Sequence, residues 1–174
     1  MLERLDVPDH LHRNAREILE IGVEETGNAL IELAIQRVGL VSLKHTDVLD
    51  VGCGVRFTQT LINRRIPIRS YTGIEVHRPI VDYLRERVEP FDDRFRFIHW
   101  DVQNAMYNPG ARIRIGDTPS LPVSTSFDLI WLFSVFTHLD EGDAQALLSH
   151  IRSVVRPTGS LFFSAFYWSV TRRI

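Results

Sequence analysis

Apolar positions Ile18, Ile21, Ala29, Leu30, Leu33, Ala34 and Val38 recur at helical spacing with charged residues between them. This predicts one or two helices from about Asn14 to Arg37, closed by Gly39 in the manner of a C-terminal glycine. The period then changes. Val48, Leu49 and Val51 form the short, partly β-branched run that a strand buried on both faces requires, and Gly52 and Gly54 break it. A helix is expected from Phe57 to Ile66, a strand from Tyr71 to Val76 and an amphipathic helix from Ile80 to Val88. A third strand, Phe95 to His99, ends near Asp101, and a fourth runs from Phe127 to Phe133. A helix from Gly142 to Val155 follows, with Asp140 as its N-terminal cap; Arg156-Pro-Thr-Gly159 closes it before a fifth strand, Ser160 to Phe166. Strands alternating with helices predict an α/β fold with a doubly wound, mainly parallel sheet of about five strands, because parallel neighbours need crossover connections.

The chain's 174 residues fit a single domain, with residues 1–45 as a helical cover and 46–168 as the core. Part of that cover either packs on the sheet or forms a lid over a ligand. Residues 102–126, with Asn108-Pro-Gly110 and two further prolines, predict an irregular segment of the length that usually serves function. Lys plus Arg (20) nearly balances Asp plus Glu (22), giving a net charge of −2 without a block of like charge, so nucleic acid is not the expected partner. Cys53 is the only cysteine and has no internal partner. With neither a signal peptide nor an apolar run long enough to span a bilayer, a reducing cytoplasm is the expected location and a membrane is not an expected partner.

In an open sheet of this kind ligands bind beyond the carboxyl ends of the strands. Gly52 and Gly54 expose bare backbone there, and the amide N–H groups of the helix that follows favour an anion or carboxylate. Glu75 lies 23 positions after Gly52, placed to accept the hydroxyl protons of a ribose. Asp101 either accepts from an exocyclic amine such as that of adenine or makes a local turn contact. A nicotinamide dinucleotide fingerprint would need a third glycine at position 57, which is Phe57. His138 reads as a general base near an acceptor or as a surface residue. Asp140, Glu141 and Asp143 fit the acidic first turn of a helix better than a metal site, and no metal is expected. Trp100, Tyr107 and Phe136 line an acceptor pocket or simply pack.

Asp50-Val-Gly-Cys-Gly54, Gly73-Ile-Glu75, Asp101, Phe127-Asp-Leu-Ile130, Ser134-Val-Phe-Thr-His138 and Arg156-Pro-Thr-Gly159 together resemble the ordered motifs of class I S-adenosylmethionine-dependent methyltransferases. The resemblance spans about Asp47 to Phe166. It implies a Rossmann-like sheet of order 3-2-1-4-5 and methyl transfer from S-adenosylmethionine to a small-molecule acceptor. It places the methionine part of that cofactor at Gly52 and Gly54, the ribose at Glu75 and the adenine amine at Asp101. Phe133 and Ser134 would face the sulfonium, and the neighbours Asp50, Cys53, Val76 and Val102 complete the expected cofactor-binding set. Nucleic-acid amino-methylating enzymes resemble one another in an Asn/Asp-Pro-Pro-aromatic motif after the fourth strand; Phe133-Ser-Val-Phe136 departs from it and disfavours a base acceptor.

Two features depart from the family pattern. Arg56 stands where the family usually carries a small residue; it either pairs with the cofactor's carboxylate or turns outward, and inward without a partner it would obstruct the site. The family fold normally continues through two more strands, so a chain ending at Ile174 reads as a fragment or a shortened member. Its fifth strand, with Leu161, Phe162 and Phe163, would then leave an apolar edge open to self-association. Two other functions stay open: a non-catalytic binding or interaction module, and, third, a nicotinamide-dependent oxidoreductase.

Overall fold

The computed structural model describes residues 2–13 and 15–165. Ten elements carry the fold: α1 (Arg16–Ile21), α2 (Val23–Arg37), β1 (Asp47–Val51), α3 (Arg56–Asn63), β2 (Ser70–Glu75), α4 (Arg78–Arg87), β3 (Phe95–His99), β4 (Phe127–Leu132), α5 (Glu141–Val154) and β5 (Val155–Phe163). The strands form one sheet of order β3-β2-β1-β4-β5 with every pairing parallel, as the alternation and the resemblance imply. The chain order reverses across β1 and β4, and the crevice at their carboxyl ends is where such a sheet takes a ligand.

Side chains alternate across each strand, so β1 feeds two cores. Val48 packs with Tyr71, Phe97 and Trp131 under α2, α3 and α4, around Ile31, Leu61 and Leu84. Leu49 and Val51 face the opposite side with Ile74, Ile130 and Leu132 and meet Leu147 and Ile151 of α5. Ile115 and Leu121 are buried in that second core, which pins the irregular segment between β3 and β4 to the body of the fold.

Helix boundaries follow local chemistry. The region expected to hold one or two helices holds two, parted at Gly22, whose φ of +114° suits glycine. Gly39 (φ +73°) ends α2, with the Leu40 N–H returning to the Ile35 carbonyl at 2.9 Å. Asp140 caps α5 by accepting from the Asp143 N–H at 2.9 Å, and Arg114 bridges the Asp140 and Asp143 carboxylates. The acids of that turn are thus engaged in capping and ion pairing.

The largest differences from the expected boundaries fall at the end of α3 and in β5. α3 stops at Asn63, three residues early, because Arg65 turns to φ +53° and the Ile66 N–H reaches back to the Leu61 carbonyl. Arg156-Pro-Thr-Gly159 lies inside β5, which begins directly after α5. The four residues form a bulge: Phe127 pairs with Val155, but Leu129 pairs with Ser160. A Cβ on Gly159 would sit 2.9 Å from the Phe127 carbonyl oxygen, so the bulge needs glycine there. Asn14 and Phe166, expected at the ends of the first helix and last strand, lie outside the described residues.

At the amino ends of the strands an ion-pair network ties β1, β2, β4 and β5 together. Asp47 takes two hydrogen bonds from Arg69 (2.8 and 2.6 Å), one from Ser70 (2.6 Å) and one from Arg156 (2.8 Å), while Asp128 pairs with the same two arginines. The Arg69 guanidinium chiefly holds the Asp47 carboxyl well below the usual carboxylate range. A depressed folded-state pKa gives stability that is present above the unfolded pKa and lost as pH falls through the folded one. Arg69 is 47% exposed, so solvent screens part of this pairing. Asp47→Asn is expected to lose about 1–2 kcal/mol at pH 7. Urea denaturation followed from pH 7 to pH 3 should show a shallower acid decline in the variant.

Candidate functional site at the carboxyl ends of the strands

A cavity of about 500 Å³ opens where β1, β2 and β4 end. Its size falls within the range of small-ligand sites, about 300–1,000 Å³. The Gly52 and Cys53 N–H groups both donate to the Ile74 carbonyl (2.8 and 3.1 Å), which folds the glycine turn back onto β2. Gly52 (φ +72°) and Gly54 (φ +50°) hold left-handed backbone that L side chains rarely adopt. A Cβ on Gly52 would lie 2.7 Å from Val135 Cγ2, so a side chain there would press into the residues following β4.

Glu75 ends β2 at the cavity wall and is only 7% exposed. Its Oε2 accepts from the Gly54 N–H (3.0 Å), and its Oε1 accepts from Val76 (2.8 Å) and His77 (2.9 Å). Burial pushes the Glu75 carboxyl up, and the three backbone donors oppose that shift. A carboxylate offers about four acceptor positions, and three are taken. One position on Oε2 is left for an incoming hydroxyl without rearrangement.

Most of the expected residues meet here. Gly52, Cys53, Gly54, Glu75, Val76, Val102, Phe133 and Ser134 all border the cavity, and so do Trp100, Tyr107 and His138. Ser134 sits at φ +60° with its N–H donating to Ser164 Oγ at 2.8 Å. Non-glycine residues in that region concentrate at ligand sites. The rings of Tyr107 and His138 meet edge-on at 5.6 Å between centroids.

Three expected residues are not brought to the cavity wall. Asp50 shares the face of Val48, so its side chain lies under the sheet, 1% exposed, with the Tyr71 hydroxyl donating to it at 2.6 Å. Burial pushes its carboxyl up to about 7, and the Tyr71 hydrogen bond works against that rise. Asp101 is exposed and accepts from Asn108 Nδ2 at 2.9 Å. That local contact anchors the turn closed by the Asn104–Asn108 bridge, while Trp100 and Val102 on either side face inward. Phe136 packs edge-on against Phe163, 5.3 Å between centroids, instead of lining the pocket.

Arg13 and His77 line the cavity although the sequence does not single them out, and Ile18 of the amino-terminal cover borders it too. Arg13 Nη2 donates to His77 Nε2 at 3.0 Å, and its guanidinium lies 5.8 Å from the Tyr107 ring centre. His77, two residues past Glu75 at the end of β2, was open to discovery by the strand-end rule. Arg13 had no such signal, because it precedes the first periodic helix. With Ile18 of α1 it makes the amino-terminal cover one wall of the site.

An all-parallel, doubly wound sheet with a glycine turn and a buried acid at a shared crevice defines a Rossmann-like architecture. The chain belongs to the methyltransferase domain family, whose sequence model matches residues 49–161, well over half of its length. It is similar to the malonyl-[acyl-carrier protein] O-methyltransferase of Acetivibrio thermocellus, 24% identical over an alignment of 153 positions that covers 80% of this chain and 52% of that protein. The chain therefore spans about half the length of that curated relative. Among solved structures, SAM-bound CalS10, an amino pentose methyltransferase from Micromonospora echinaspora, matches with a TM-score of 0.58 at 17% identity, covering 94% of this chain and 62% of its own. Coclaurine N-methyltransferase, bound to N-methylheliamine and SAH, matches with a TM-score of 0.55 at 18% identity, over 80% of this chain and 35% of its own. These likenesses establish the fold. No helix among the described residues is long and apolar enough to cross a membrane.

Proposed function

We propose that this chain binds S-adenosylmethionine and catalyses methyl transfer to a small-molecule acceptor. The observation that carries the reading is the convergence of bare backbone at Gly52 and Gly54 with the buried Glu75 carboxylate on one cavity of cofactor size, in a chain of the methyltransferase family. The residues fit the group. Gly54, where a Cβ would meet nothing within 4 Å, leaves open space beside the turn, Glu75 keeps one acceptor position on Oε2 for a ribose hydroxyl, and Val76, Trp100 and Val102 offer apolar surface for a purine.

The cofactor supplies an activated methyl group on a sulfonium, so the protein's task is largely to hold donor and acceptor in line. Phe133 and Ser134, just past the end of β4, border the same cavity as the glycine turn, Tyr107 and His138. His138 takes a proton there when the acceptor must lose one. The coclaurine enzyme, an N-methyltransferase by name that holds N-methylheliamine, supports a small acceptor, whereas the A. thermocellus relative is by its name an O-methyltransferase for a malonyl group on an acyl-carrier protein.

The same reading treats residues 1–174 as one domain, with the unpaired, buried Cys53 suited to a reducing cytoplasm. It includes self-association through β5, the last strand of the sheet among the described residues, where Phe163 is 48% exposed. Calorimetric titration with S-adenosylhomocysteine tests the central reading. One-to-one binding in the micromolar range is expected, and an absence of saturable heat would overturn it.

A further inference from the structure

Arg56 opens α3 two residues after Gly54 and borders the same cavity as Glu75. Its stem runs beside α2 at Gly27, where an added Cβ would come within 3.4 Å of Arg56 Cγ and 2.2 Å of Thr60 Oγ1. The missing side chain on α2 makes room chiefly for Thr60, four residues beyond Arg56 on α3, and the Arg56 stem packs beside it at ordinary contact distance. The guanidinium carbon lies 5.0 Å from the centre of the Phe57 ring. Arg69, Arg94, Arg114 and Arg156 each hold carboxylates, whereas Arg56, half-buried, has no hydrogen-bond or ion-pair partner among the described residues. Its closest acidic influence is Asp50, which sits behind the turn with its own charge suppressed by burial.

A partly desolvated cation without a counter-ion is unfavourable until something supplies one. The acids and cations lining the cavity sharpen the point. Among the described residues Glu75 is the only carboxylate there and is committed to three backbone donors, while Arg13 and Arg56 are both cationic. The space beside Arg56 is electropositive and bounded by the glycine turn, and a planar guanidinium suits a carboxylate held by two parallel bonds.

We propose that Arg56 is a binding residue for the α-carboxylate at the amino-acid end of the cofactor, so that Glu75 and Arg56 grip opposite ends of one ligand across the glycine turn. This rests on the reading of the cavity as an S-adenosylmethionine site. Arg56 then substitutes a charged anchor for the small residue the family usually carries at this position.

The test compares two ligands that share the nucleoside and differ in the carboxylate: S-adenosylhomocysteine, which has it, and 5′-methylthioadenosine, which lacks it. Titration of wild type, Arg56→Gln and Arg56→Lys with both ligands forms the cycle. Arg56→Gln is expected to weaken S-adenosylhomocysteine about 10- to 100-fold while leaving 5′-methylthioadenosine unchanged, the range for a charge-assisted contact. Arg56→Lys should recover part of the loss, because it restores the charge without the fork. Undiminished binding of 5′-methylthioadenosine shows that the variant site is folded. An equal loss for both ligands, unchanged affinity for both, or tighter binding of S-adenosylhomocysteine by Arg56→Gln would each overturn the proposal, the last by showing that Arg56 plugs the site. If wild type binds neither ligand, the cofactor reading fails and this assignment falls with it.

Discussion

Glu75→Ala is expected to weaken S-adenosylhomocysteine binding by about 100-fold or more and to destabilise the fold as well. The affinity loss follows from removing a charged acceptor from a ribose hydroxyl in a nearly dry site, together with release of the turn that positions the rest of the ligand. Three N–H groups, on Gly54, Val76 and His77, lose their acceptor together. Each unsatisfied buried donor costs about 1–3 kcal/mol, less where water replaces the carboxylate. Glu75→Gln separates the two effects. Its amide oxygen can keep the Val76 and His77 bonds, but its NH₂ group then meets the Gly54 N–H donor to donor. The glutamine variant should therefore hold most of the stability and still bind poorly. Thermal melts and titrations on the three proteins check this, and full affinity in Glu75→Ala would remove Glu75 from the site.

Gly52→Ala should be the most damaging single methyl group added to the turn. The residue sits at φ +72°, where an L side chain costs about 1 kcal/mol. The new Cβ would also lie 2.7 Å from Val135 Cγ2, and such overpacking adds about 1–3 kcal/mol. Relief requires moving Val135, which borders the cavity beside Ser134. Stability and cofactor affinity should fall together. Gly54→Ala provides the contrast, since its φ is +50° but a Cβ there meets nothing within 4 Å. It should show the backbone penalty of about 1 kcal/mol alone. Urea denaturation of both variants measures the difference, and equal losses would contradict the assigned role of Val135.

The strands were readable because their signals are local. Val48, Leu49 and Val51 end at a glycine pair, and the aromatic and β-branched content of Phe95 to His99 matches the bounds of β3. Gly52, Gly54 and Glu75 were also readable, because the strand-end rule joins a local break to a spacing. Asp50 belongs to the glycine motif in sequence but not to the crevice in space. Two-residue alternation already assigns it to the face of Val48 and away from the crevice. Asp101 depended on where Asn108 returns after six intervening residues, and the irregular segment carries no periodicity that would tell. Arg13 reaches the site only because α1 folds over the strand ends, a tertiary fact without a local trace. The bulge at Arg156 to Gly159 looked like a helix stop because Pro157 and Gly159 serve either purpose.

The most direct test is a crystal structure of the chain with S-adenosylhomocysteine. The expected result is a ribose hydroxyl on Glu75 Oε2, with the amino-acid arm running past Gly52 and Gly54. A nucleoside bound elsewhere, or one that leaves Glu75 in contact only with the backbone of residues 54, 76 and 77, would contradict it.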